Sequence, residues 1–154
     1  MQLPIAVGQS YSDINWTANR LMDQESPMAS FWLNELVSET AGYQRSIQMA
    51  ASKNHCKDHN RFNCLLRSID GELNTILNLA SAIAKDKPRL RNDQRQKTLE
   101  IHLTRLEIKG KYFVSHLTDF FDQCELEQLG DEFGGVRSTL TSRMRNMSDE
   151  GHFI

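Results

Sequence analysis

The stretch Leu99–Cys124, LEIHLTRLEIKGKYFVSHLTDFFDQC, sets Leu99, Leu103, Leu106, Gly110, Phe113, Leu117, Phe120 and Cys124 at alternating steps of four and three. A helix turns once in 3.6 residues, so that spacing gathers all eight positions into one stripe, the seam of a heptad repeat. Two more stretches carry the same pattern. Phe62, Leu66, Ile69, Leu73, Ile76, Ala80 and Ile83 step by four and three, and Leu33, Leu36, Thr40, Tyr43, Ile47 and Ala50 by three and four. An isolated helix cannot bury such a stripe, and three stripes in one chain predict helices packed near 20° in a bundle.

Helix ends follow from residues with a physical reason to be there. Ser26 offers an N-cap hydroxyl and Pro27 a ring whose missing N–H costs nothing in a first turn. Asp58 is placed to cap the next helix. Pro88 cannot continue that helix and disfavours helical geometry at Lys87. Asn92 or Asp93 caps the long stretch, and Gly130, Gly134 and Gly135 break its end. The prediction is an all-α fold: an antiparallel bundle of three long helices, about 27–53, 58–86 and 92–128, with shorter helices at both ends. One of these starts near Ser12 or Asp13 and carries Ile14, Ala18 and Leu21; the other carries Val136, Leu140, Met144 and Met147. The 154 residues form one domain, with 1–9 and 148–154 loosely ordered. Gly110 sits where a seam side chain would fill space, which either a close backbone approach by another helix or subunit or plain tolerance of one weak spot explains.

Composition fits this reading. Apolar residues make up 39% and charged residues 25%, with three prolines and eight glycines. No run approaches the ~18 apolar residues of a membrane span, and the start lacks the basic and apolar regions of a secretory signal, so a cytoplasmic protein with reduced thiols is expected. The net charge of −2 hides opposed blocks: −4 over residues 1–42, +6 over 43–97 and −6 over 117–136.

Motifs for enzymatic chemistry are missing. There is no G-x-G-x-x-G, no P-loop, no G-x-S-x-G elbow and no Glu-x-x-His pair on two helices. His116 and Asp119, three apart, could form a hydrogen-bonded pair. The densest group of ligand types is residues 55–64, HCKDHNRFNC. On a helix His55 and His59 share a face with Cys56 beside them, whereas Cys64 points away. A turn centred near Arg89 pairs residues whose numbers sum to about 178, which brings Cys124 level with position 54. His55, Cys56, His59 and Cys124 are thus the candidate zinc ligands; the plainer reading of 55–64 is a polar turn between helices.

Two features point to partners instead. The run Lys85–Lys97, with Lys85, Lys87, Arg89, Arg91, Arg95 and Lys97, makes a positive tip suited to an acidic protein surface or to nucleic-acid phosphates. Trp16 and the pair Phe31-Trp32 are bulky anchors of the kind found at interfaces, unless the first helix covers them. The sequence therefore predicts a non-enzymatic protein-binding module, a regulator, adaptor or helical chaperone, with homodimer formation through a heptad seam. The rivals are a structural-zinc or metal-sensing bundle and a nucleic-acid-binding regulator using the 85–97 loop.

Overall fold

The computed structural model describes residues 1–23, 28–53, 56–86 and 93–133. The chain folds as an all-α helical bundle of α1 (Leu3–Asp23), α2 (Met28–Lys53), α3 (His59–Asp86) and α4 (Asp93–Ser115), then a 3-10 turn at Leu117–Asp119 and a last helix, α5, over 123–133. Ser26, Pro27, Asn54, Pro88, Arg89, Asn92 and everything after Phe133, including the predicted final helix and the 148–154 tail, lie outside the described residues.

The long helices form a ring in which each packs on the next and α4 closes on α1. Every neighbouring pair is antiparallel. Thr17 on α1 meets Glu39 on α2, Gln44 on α2 meets Asp70 on α3, and Gln96 on α4 meets the carbonyl of Met22 on α1. Between α3 and α4, Phe62 packs on Phe113 and Glu72 contacts both His102 and Lys109, and in the turn past α4 Asp119 pairs with Arg61. These pairs sum to between 174 and 181, around the register that the sequence predicts.

The α3 seam is buried along its whole length, from Phe62 to Ile83. A fully buried Leu, Ile or Phe contributes about 1.5–3 kcal/mol, so this one stripe outweighs the roughly 1 kcal/mol that Gly71 costs in the exposed interior of α3. Asp58 caps α3 as predicted, accepting the Arg61 backbone N–H at 3.3 Å, and does so from a left-handed backbone conformation, φ 54°. Aspartate is among the few residues that tolerate it.

Three expectations are corrected. The first helix is not short: α1 begins at Leu3, within the stretch expected to be loose, and Leu3 and Val7 are fully buried. Pro4 falls in its first turn, where a proline is harmless. In α2 the seam holds from Leu36 onward, but Trp32 rather than Leu33 fills the position before it. The long helix stops at Ser115 instead of running to 128. There Ser115 Oγ and His116 Nδ1 both bond the Tyr112 carbonyl, at 2.7 and 2.8 Å, and so satisfy an acceptor at the helix end. The break has a packing cause: Phe120 and Phe121 would point about 100° apart on a continuous helix, yet both are buried, with ring centroids 5.1 and 5.7 Å from Phe62.

Candidate functional site

The structure separates the residues singled out as metal ligands. Cys56 faces the core and its thiol is pushed up by burial, aided by the charges of Glu125 and Asp58. His59 opens α3 and is exposed, and so are Cys64 and Cys124. The loop does meet the segment that follows α4, through the Lys57 N–H donating to the Phe120 carbonyl at 2.9 Å. Cys124, however, lies past the break, on α5. His55 lies outside the described residues, among which no three His, Cys, Asp or Glu side chains are grouped to hold a metal ion. Nor do His116 and Asp119 pair: the imidazole bonds the Tyr112 carbonyl and the carboxylate takes Arg61 at 3.3 Å.

Of the predicted partner-binding residues, Trp32 is fully buried and is not available to a partner. Trp16 and Phe31 stack edge-on against it at 5.5 and 5.2 Å, each partly exposed, and the Arg20 guanidinium lies 5.4 Å from the Trp32 ring and 5.7 Å from that of Trp16. The cluster is a lid on the α1–α2 corner. Lys85, Arg95 and Lys97 are exposed; Lys87, Arg89 and Arg91 lie outside the described residues.

Two polar arrangements inside the bundle position α4. Glu72 on α3, only 5% exposed, receives Lys109 Nζ at 2.8 Å and Arg105 Nε at 3.0 Å, and lies 2.7 Å from His102 Nδ1. Burial opposes its charge, but the hydrogen bonds from Lys109 and His102 and the charges of Lys109 and Arg105 outweigh that, holding the carboxyl below its usual range. On the other flank, the ring of Tyr11 of α1 packs against Gly110 of α4, where an added Cβ would sit 2.6 Å from it. Its hydroxyl shares a 2.6 Å hydrogen bond with Tyr43 of α2, and burial pushes both phenols up. The close approach at Gly110 is made by a side chain, the Tyr11 ring, and not by the backbone of another helix or subunit. The Glu72 clasp was not foreseen, although the register alone sets Glu72 level with Leu106, among His102, Arg105 and Lys109.

Between α1 and α4 the surface opens into a groove of about 500 Å³. Its apolar floor is Tyr11, Leu103, Leu106 and Val114, and its polar edges carry Ser12 and Asn15 on one side and Glu107 and Lys111 on the other. Gly8 leaves it open, since a Cβ there would meet nothing within 4 Å. Beside it, on the outer face of α4, stand Ile101 (58% exposed), Ile108 (64%) and Tyr112 (50%), and Ile5 is exposed on α1 three residues before Gly8. Ile101 and Ile108 are one heptad apart, so they form a second stripe on a helix whose first stripe is already buried. No family model, curated protein or solved structure matches the chain.

Proposed function

We propose that this protein works by binding another protein chain on the face between α1 and α4. The observation that carries the reading is the outward stripe Ile101–Ile108–Tyr112 running beside an open groove. The bundle's own seam already uses Leu99, Leu103, Leu106 and Phe113 inside the molecule, so folding does not require these three residues. In helix-in-groove recognition an amphipathic helix lays its apolar face into an apolar trough with polar edges; the α1–α4 groove is such a trough, and the Ile101–Ile108–Tyr112 stripe extends the apolar surface beside it. Its walls are regular helices held by the Glu72 clasp and the Tyr11–Gly110 contact, and a rigid wall reduces the ordering cost of binding.

The test is a photo-crosslinking residue at position 108 in the native cell, with position 68 on the exposed face of α3 as control. A discrete protein adduct from 108 that is absent from 68, and lost when Gly8→Trp fills the groove, is expected. No adduct at 108, or the same adducts at both positions, overturns the reading.

A further inference from the structure

We infer that the occupant of the α1–α4 face is a second copy of this chain, bound across a two-fold axis with the two α4 helices antiparallel. The inference rests on the protein-binding reading above and names its partner.

Charge order along α4 points to this occupant. Glu100 and Lys111 are eleven residues apart, about three helical turns, so they lie on the same flank of the outer stripe. When two α4 helices run antiparallel with facing numbers summing to about 210, Ile101 meets the partner's Ile108 and Glu100 meets the partner's Lys111. Lys97 comes level with the partner's Tyr112, within reach of a cation–π contact. Two-fold symmetry makes each of these contacts twice, which is how a self-complementary patch closes a dimer and stops.

In a parallel two-fold pair each flank faces the partner's opposite flank, so Glu100 and Lys111 would not meet; only the antiparallel direction brings these opposite charges together. Like charges come together at Arg105, near the axis, and where Lys97 passes the partner's Lys111; the Arg105 guanidinium is drawn back toward α3 by its 3.0 Å ion pair with Glu72, and Lys97 can turn to the partner's Tyr112. Lys111 now bonds Glu107 at 2.9 Å, but both are exposed on one helix, a weak pair from which the lysine can turn. The groove lies on the Glu100–Lys111 flank and so receives the edge of the partner helix, while the exposed Ile5 on the opposite lip extends the apolar contact.

The experiment is the mass of the full chain in solution against concentration, by light scattering and sedimentation. A dimer that dissociates on dilution is expected. Ile108→Lys, on an exposed face, should weaken it at least ten-fold with unchanged helicity and, at concentrations where the wild type is monomeric, an unchanged melting temperature. Glu100→Lys and Lys111→Glu should each weaken self-association about ten-fold, because each creates two like-charge meetings. A mixture of these two single variants should form a heterodimer of near wild-type affinity, as should the double variant with itself. A wild type that stays monomeric to about 100 μM overturns the second copy, and so does a dimer indifferent to Ile108→Lys and to the charge swaps. The crosslink at position 108 keeps the two ideas apart: an adduct of the chain with itself supports both, an adduct of another mass sinks the dimer alone, and none sinks both.

Discussion

At the scale of single residues, the two contacts that set α4 in place make opposite demands. Gly110 must stay small because Tyr11 occupies the space of its missing side chain. Gly110→Ala should therefore cost about 1–3 kcal/mol by displacing a ring that is also bonded to Tyr43, despite the helix propensity gained. Gly71→Ala, where a Cβ meets nothing, should gain about 0.5–1 kcal/mol. Urea denaturation of the pair measures the contrast. Glu72 must stay charged. Its carboxyl is depressed in the fold, so its contribution is fully present above the ordinary glutamate value of about 4.3 and fades as pH falls through the lower folded value. Glu72→Gln should cost about 1–3 kcal/mol at neutral pH, and the gap to wild type should narrow below about pH 4. A gap that holds constant into acid, in melts taken across that range, would refute the clasp.

At the scale of elements, what could be read in the sequence depended on whether the seam was apolar. The α3 and α4 stripes are nearly all Leu, Ile and Phe, and their spacing was legible. In α1 the buried line is Leu3, Val7, Ser10, Ile14, Thr17 and Leu21, a full heptad seam with two hydroxyls in it, and those hydroxyls concealed the first half of the helix. Thr17 is tolerated there because its hydroxyl donates to Glu39 at 3.1 Å, a partner that only the fold supplies. The break in α4 did leave a readable trace. Asp122 and Glu125 form a reciprocal capping box at the start of α5, with Glu125 N–H donating to Asp122 at 2.9 Å and Asp122 N–H donating to Glu125 at 3.2 Å. An unbroken heptad pattern masked that signal. Asp122→Ala should lower the melting temperature and raise amide exchange across 123–133 while leaving α3 protected, as hydrogen exchange can show.

At the scale of the whole molecule, α5 packs on the start of the chain. Gly130 lies so close to Met1 and Leu3 that a Cβ would overlap their backbone, and Leu126, Leu129 and Phe133 are buried. Phe62 gathers Phe113, Phe120 and Phe121 at that end, so Phe62→Ala should cost about 3–5 kcal/mol in a single cooperative transition. Loss of α5 ahead of the remaining helices, seen as two transitions in circular dichroism, would show the end to be separable. The sequence by itself determined that the chain is helical, that its helices pair antiparallel, and the register of α3 against α4, because spacing and loop position act through the fixed rise and turn of a helix. It also marked Gly110 as a seam position without a side chain, which fits a close approach and plain tolerance of a weak spot equally well. Only the tertiary structure decided which side chain makes that approach, which of two adjacent aromatics turns inward at Phe31-Trp32, that Cys124 leaves the seam, and that Ile101 and Ile108 face solvent. Each of these depends on competition between neighbouring residues for the same buried volume, and that competition is resolved only when all the helices are in place.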